Sequence, residues 1–411
     1  MTSSHEAPNT PLSEAGTRAV VRMLLCFLPL VGMGIDLIAP SLPAINQALH
    51  ISPMVAKDLI AIYLVGLMSG TFLSGILSDT WGRRRLMLGG FILLVVVSVI
   101  PPLYPYPSIL LLSRLLQGLA IGTFGVLARS VIADLLTGTA LLRTASWIAT
   151  MWGIGPIIGP IIGGYLQVYI GWQACFLFFA VYGLIGAITC FLWLPETHHK
   201  HKRAGLSLKR IKNNFAILLP DKIFVSVSVL MGCLYSTLII FNTLGPFFIE
   251  KKLGHSPIFF GHAAFCLGLV FLCGTFCCRV LVKYFDPQKI LSTGMPIVLI
   301  FSLVGVVMTS FSHNVWAILI PTAFLFFANG VLYPTCMGIT MSMFKELAGS
   351  AGGITTLINL SVTMSSGFLV SMISAQSSRP IAYTSAVFVL VGFVLYAWAM
   401  RSKRAEQVVV D

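Results

Sequence analysis

The 411-residue chain is 57% hydrophobic and only 9% charged, whereas a soluble globular domain carries roughly 25% charged residues to cover its surface. That composition excludes a soluble enzyme or binding module and makes lipid the expected solvent. The formal net charge of +13 leaves nucleic acid and anionic lipid as partner classes until its distribution along the chain is read.

A transmembrane span needs about 20 mostly apolar residues, because in hydrocarbon every backbone polar group must be paired within its own helix. Twelve such stretches are placed, at about 22–45, 57–78, 86–104, 109–131, 144–168, 173–194, 222–248, 258–281, 289–311, 316–340, 350–374 and 381–400. The reading is an all-α polytopic membrane protein of twelve helices in two six-helix bundles. A polar tail (1–20) leads into the first bundle (21–194), a linker (195–221) into the second (222–400), and a tail (401–411) follows. The first tail holds Ser3, Ser4, Pro8 and Pro11 ahead of the apolar run, so no cleavable signal is expected and span 1 stays as an anchor. With that tail in the cytoplasm, the Lys and Arg fall on the cytoplasmic side except Lys57, Lys251, Lys252 and Arg379 outside and Arg114 embedded. This is the positive-inside pattern. The charge reports orientation in a bilayer, with both termini cytoplasmic, and no nucleic-acid partner is expected.

Span 1, "GMGIDLIAPSLPAI", holds Asp36, the one acid read as well inside hydrocarbon; Asp58, Asp134, Glu196, Asp221 and Glu250 fall at predicted span ends. Burial and a nearby arginine act on a carboxyl in opposite senses, which makes Asp36 a candidate to take up and release a proton as access changes. A static Asp36–Arg114 salt bridge is the alternative. The loop between spans 2 and 3 reads "GILSDTWGRRR". In it Gly75 allows close helix approach, Gly82 permits a tight turn, and Asp79 can cap a helix or pair with Arg83. The plainer reading is a positive-inside anchor with a turn. Span 4, "LLSRLLQGLAIG", places Arg114 about two turns inside the membrane, followed by Gln117, Gly118 and Gly122. A charge there costs at least ~2.5–3.5 kcal/mol and requires a partner, such as backbone carbonyls, or a water-filled cavity.

Span 5 carries "GIGPIIGPIIGG", with Gly153, Gly155, Pro156, Gly159, Pro160, Gly163 and Gly164. Its glycines permit close packing and its prolines remove hydrogen bonds and bend a helix, so a structural role suffices. The linker run His198-His199-Lys200-His201-Lys202-Arg203 lacks preorganised geometry and reads as solvated chain, not a metal site. Leu206, Leu208, Ile211 and Phe215, alternating with Lys209, Arg210 and Lys212, then suggest a short amphipathic helix on the inner surface. The nine cysteines all fall within predicted helices as small packing residues; neither a metal nor a cofactor is expected.

The halves look internally related: "QGLAIGTFGVLARS" in span 4 resembles "FANGVLYPTCMGIT" in span 10, and the openings of spans 5 and 11 share small residues. Polar or aromatic residues at mid-span are Tyr63, Trp147, Trp152, Tyr235, Asn242, Asn329, Tyr333 and Asn359. They are candidates to orient a small-molecule substrate in an apolar cavity, and each serves equally as a packing residue or interhelical bond.

The loop string Gly75 to Arg85, the twelve spans and the central linker resemble the major facilitator superfamily over the whole chain. The resemblance implies a cytoplasmic latch between the halves built on Asp79, Arg83 and Asp134; the corresponding loop near Gly274, Arg279 and Lys283 is degenerate. The span 5 string resembles the antiporter motif of drug:proton exchangers, and the arginine of the span 4 motif is linked in the family to proton transfer. The acid before "PSLPAI" resembles the bicyclomycin and chloramphenicol resistance branch. Some members carry a second acid two turns earlier, where this chain has Leu28, which argues against two-acid coupling. The resemblance implies a monomeric, proton-coupled exporter of small amphipathic drugs or metabolites in a bacterial inner membrane. A permease for a siderophore or amino acid is the alternative on the same fold. An embedded enzyme is disfavoured, because no His-Glu-x-x-His or Gly-x-Ser-x-Gly string occurs and the isolated His262 reads as packing.

Overall fold

Proline outlines the first span. In the computed structural model, which describes residues 13–197, 208–312 and 314–410, the stretch expected as one helix over 22–45 is three: α1 (Glu14–Phe27), α2 (Pro29–Asp36) and α3 (Leu42–Ala48), with a 3-10 turn at Ala39–Ser41. Ser13 caps α1 earlier than expected, its side chain accepting from the Gly16 N–H. Pro40 cannot donate to the carbonyl of Asp36 and its ring would collide with it, and Pro43 stands in the same relation to Ala39. The helix therefore ends at Asp36, and the Leu37 N–H makes the last bond, to the Met33 carbonyl.

The remaining spans are continuous helices: α4 (Pro53–Trp81), α5 (Arg83–Leu103), α6 (Pro107–Leu135), α7 (Gly138–Tyr169), α8 (Gln173–Trp193), α10 (Lys222–Pro246), α11 (Pro257–Tyr284), α12 (Pro287–Phe311), α13 (Trp316–Met343), α14 (Ala348–Ser371) and α15 (Arg379–Val410). Counting α1 to α3 as one, twelve helical segments among the described residues are long and apolar enough to cross a membrane. Ser-Pro and Asp-Pro pairs start several of them. Ser52, Ser256 and Asp286 accept N-terminal amides while Pro53, Pro257 and Pro287 occupy the first helical position. α7 runs unbroken through Pro156 and Pro160. Helix α9 (Leu208–Leu218) follows the linker and reaches the second half through Asn214, whose Nδ2 donates to Ser350 Oγ at 2.9 Å. The His198–Arg203 run and Leu206 lie outside the described residues.

The two halves share a contact of one geometry. At Gly118 of α6 an added Cβ would strike the carbonyl oxygen of Tyr63, with Gly66 and Leu67 of α4 next; at Gly330 of α13 it would strike that of Phe271, with Gly274 and Thr275 of α11 next. The spacing of the three partners is the same in both. Backbones this close hold α4 to α6 and α11 to α13 without side-chain padding, the usual route to tight packing where lipid offers no hydrophobic drive.

Among the described residues, the helix contacts between the halves lie toward one end. α4 meets α14 along one helical face, through Lys57, Ala61, Leu64 and Met68. The same face continues to Phe72 and Gly75, which are exposed. α7 meets α11 through Gly164, Pro160 and Ile157, and an added Cβ at Gly153, further along, would meet nothing within 4 Å. The halves thus form a V whose closed end carries residues 46–57 and 246–257. Its open end carries the loop at Gly82 and the linker.

A bulky residue at the matched glycines should uncouple these helix pairs. Gly66→Val and Gly274→Val are each expected to cost about 1–3 kcal/mol, read as a lowered unfolding temperature of the detergent-purified protein, with Gly75→Val near wild type because nothing lies within 4 Å of its added Cβ.

Candidate functional site

The broken first span creates the chemistry at the centre. Because α2 stops at Asp36, its last carbonyls lack the partners a continuing helix would supply. Arg114, fully buried on α6, meets this need: Nη2 donates to the Gly34 carbonyl at 2.7 Å, Nε to the Leu59 carbonyl at 3.1 Å and Nη1 to Gln117 Oε1 at 3.1 Å. Gln117 Nε2 in turn donates to Ser98 Oγ of α5 at 2.7 Å. The guanidinium lies over the Tyr63 ring, 4.2 Å from its centroid. A cation at a helix C-terminus also opposes the helix dipole. Arg114 is therefore a side-chain cap tying three helices together, as the carbonyl-pairing alternative anticipated.

Asp36 is 4% exposed and forms no ion pair with Arg114; among the described residues the ion pairs are Arg18–Glu14 and Arg83–Asp134. The static salt bridge is thus absent. The carboxyl instead accepts a hydrogen bond from Asn242 Nδ2 on α10, in the other half. Asn242 appears in the sequence only as one of eight mid-span polar residues, and nothing there pairs it with Asp36.

The glycine-proline string of α7 seats this segment. Added Cβ atoms at Gly155, Gly159 and Gly163 would run into Pro29 and Met33, the Asp36 Cβ and the Leu37 carbonyl, respectively. Gly164, one position on, faces Pro257 of the second half. One stripe of the helix grips the acid-bearing segment while its neighbour touches the partner half. Gly153 takes no part.

The remaining candidates divide. Tyr235 and Tyr333 pack with ring centroids 5.7 Å apart, and Asn359 Nδ2 donates to the Tyr333 hydroxyl at 3.0 Å. Trp152 lies 5.8 Å from the guanidinium of Arg129. Asn329 is internal to the second half, bonding Thr237 Oγ1 and the Leu325 carbonyl at 3.0 Å. Trp147 is 56% exposed, toward the open end of α7. His262 is exposed and stands edge-on to Tyr165 instead of being packed in a core.

Arg129 was missed because span 4 was ended at 131, leaving it among the boundary charges. The helix continues to Leu135, so Arg129 lies inside the span. Its Nε donates to the Gly125 carbonyl at 3.1 Å, and Tyr333 of the other half lies within electrostatic reach. Its side chain is solvent-exposed although protein surrounds it, as in a water-filled cleft. Lys57 and Glu250, expected at boundaries, are also inside: Lys57 is buried and donates to the Ile373 carbonyl, and Glu250 sits in a π-helical turn at Phe247–Lys252. Lys251 of that turn bonds Asn46 Oδ1, and both lysines lie over the Phe247 ring.

At the open end Gly82 adopts φ +90° between α4 and α5, a left-handed geometry that suits glycine. Arg83 pairs with Asp134, and its N–H donates to Glu196 Oε1 at 2.9 Å. Arg84 Nη2 donates to the Phe191 carbonyl at 2.7 Å. Gly75 is exposed; the side chain of Asp79 lies outside the described residues. These recorded partners all belong to the first half. Among the described residues no cluster of three or more His, Cys, Asp or Glu could hold a metal.

Replacing the buried cap separates a positioning charge from a generic one. Arg114→Met is expected to lower the unfolding temperature sharply, since breaking a buried charged network costs about 3–5 kcal/mol. Arg114→Lys should recover only part of the loss, because an ammonium cannot reproduce the planar fork that reaches Gly34, Leu59 and Gln117.

The chain matches the model of the Major Facilitator Superfamily over residues 24–367. It is 23% identical to the bicyclomycin resistance protein homolog of Haemophilus influenzae, covering 91% of this chain and 93% of that one. It is 25% identical to multidrug resistance protein D of Escherichia coli, covering 81% and 84%. Its backbone superposes on the inward-open xylose transporter XylE of Escherichia coli with a TM-score of 0.71 at 14% identity, covering 91% and 95%. Broken first span, paired six-helix halves and family match agree, and the chain belongs to the Major Facilitator Superfamily.

Proposed function

We propose that this transporter exports small amphipathic molecules in exchange for protons, with Asp36 as the proton carrier. One observation carries the reading: the single deeply buried carboxyl of the central region sits where the halves meet and takes a hydrogen bond from Asn242 across the interface. That bond exists only while the halves are apposed at this depth. Proton occupancy of Asp36 and the arrangement of the halves therefore bias one another, which is the linkage a coupled carrier needs. Arg114 takes no proton in this scheme. It fixes the end of α2 and so the place of the carboxyl, and the α7 glycines let that segment slide against the motif helix without side-chain obstruction.

The excess of Lys and Arg near the open end supports a cytoplasmic placement of that end, and with it an inward-open conformation. Both termini then face the cytoplasm, and the membrane is the bacterial inner membrane. The loop of Gly75, Asp79, Gly82, Arg83 and Arg84, with Asp134, latches onto the second half when the cytoplasmic end closes. Cargo enters the cleft beside Trp152, Tyr235, Tyr333 and Asn359, with Tyr63 packed behind Arg114. Each chain encloses a full pathway between its own halves, so the working unit is a monomer. The names of the relatives, bicyclomycin resistance and multidrug resistance, favour export over uptake.

Everted membrane vesicles loaded by respiration with an acid interior provide the test. Wild-type protein is expected to accumulate labelled chloramphenicol or another amphipathic drug from a panel, and to lose it when the pH gradient is dissipated. Asp36→Asn should abolish gradient-driven accumulation by at least tenfold; accumulation indifferent to both the gradient and the substitution would sink the proposal. A second expectation concerns the closed end. Oxidative cross-linking of Asn46→Cys with Lys251→Cys should arrest transport, and reduction should restore it.

A further inference from the structure

Two charges embedded in the first half could in principle set the charge of the cargo, Asp36 favouring a cation and Arg114 an anion. Neither is available in the folded protein. Asp36 is buried and committed to Asn242, and Arg114 is buried under three hydrogen bonds. Among the described side chains at the open end, Asp134 is engaged with Arg83 and Thr197, and Glu196 of the linker with the Arg83 N–H. Asp58 and Glu250 belong to the closed end.

Arg129 is different. Only its Nε has an acceptor among the described residues, the Gly125 carbonyl of its own helix, which leaves both Nη groups for something in the cleft. On a helix a long side chain leans back toward the N-terminus, which carries the guanidinium from the last turns of α6 deeper into the protein, to the level of Trp152. Two more donors lie beside it. Trp152 Nε1 is buried without an acceptor, and the Tyr333 hydroxyl, accepting from Asn359, keeps its own proton to give. Beyond these donors the tilted Tyr235–Tyr333 pair supplies an aromatic wall. A cluster of donors to which the described residues offer no facing acceptor, one of them a guanidinium in the cleft between the halves, is complementary to an oxyanion.

We infer that the central cleft selects amphipathic organic anions, a carboxylate or similar oxyanion bonding Arg129 and Trp152 Nε1 while an apolar ring lies against Tyr235 and Tyr333. This rests on the reading of the cleft as the cargo path. It adds that cargo charge is sensed by Arg129 and not by the proton-carrying Asp36, so that proton and cargo are held by different groups.

The test uses three probes that share one ring, 2-naphthoate, 2-naphthamide and 2-naphthylmethylammonium, in equilibrium binding to the purified full-length protein at pH 7. Wild type is expected to bind naphthoate at least tenfold more tightly than the amide, and the ammonium most weakly. Arg129→Gln should bring the naphthoate-to-amide ratio close to one, Arg129→Lys should keep part of it, and Trp152→Phe should lower it several-fold. Measurable amide binding reports a folded cleft in each variant. Equal binding of the three probes to wild type, preference for the ammonium, undetectable naphthoate binding, or an unchanged ratio in Arg129→Gln would each overturn the inference. The two proposals fail separately. Naphthoate preference in a protein whose transport ignores the pH gradient would retire proton exchange and keep anion selection, and gradient-driven export without naphthoate preference would do the reverse.

Discussion

A carboxyl group kept away from water at the meeting plane of two bundles is the constraint on which the centre of this protein depends. Burying it is costly unless it is hydrogen-bonded or neutralised. Three arrangements around it are responses to that cost. Asn242 supplies a donor from the opposite half, the α7 glycines bring backbone close enough to exclude lipid and water, and Arg114 anchors the helix end that carries the acid. The arginine's role is mechanical as much as electrostatic. Its charge is directed at carbonyls and Gln117, and among the described residues the carboxyl has no ion-pair partner, as the proposed proton carriage requires.

The architecture was largely legible because a membrane imposes crude rules. Twelve apolar runs, a midpoint linker and the asymmetry of basic residues are one-dimensional signals, and all follow from the cost of exposing polar backbone or charge to hydrocarbon. The breaks in span 1 were visible in Pro29, Pro40 and Pro43 yet were read through, because an apolar run looks continuous to hydropathy whatever its backbone does. Arg129 was lost for a related reason: a charge was taken as the end of a span, whereas a water-filled cleft lets a charge lie within one. Lys57 escaped similarly, since a lysine beside a loop reads as solvated until a carbonyl from the other half is found opposite it. The Asp36–Asn242 bond joins residues 206 positions apart, and no periodicity or motif carries that information.

The two halves are alike in frame and unlike in content. Gly118 of α6 against α4 and Gly330 of α13 against α11 repeat one backbone contact almost atom for atom, so the two bundles are packed by the same means. Arg114 stands four residues before Gly118, and the residue four before Gly330 is Phe326, a ring stacked edge-on against Phe241. The second half has thus traded its central charge for packing. What it contributes to the middle is Asn242, Tyr235 and Tyr333, groups that complete sites begun in the first half. The proposed coupling therefore draws on both bundles, for the acid and its hydrogen-bond donor belong to different halves.

The capped end of α2 also bears on how the protein is made. The chain enters the bilayer from its N-terminus, and α2 presents open carbonyls and an acid that its own segment cannot satisfy. The group that satisfies Gly34 arrives only with α6, some eighty residues later, and the donor for Asp36 only with α10. Until both have entered, Gly34 and Asp36 lack these partners, so the centre of the protein is completed from segments far apart in the order of synthesis.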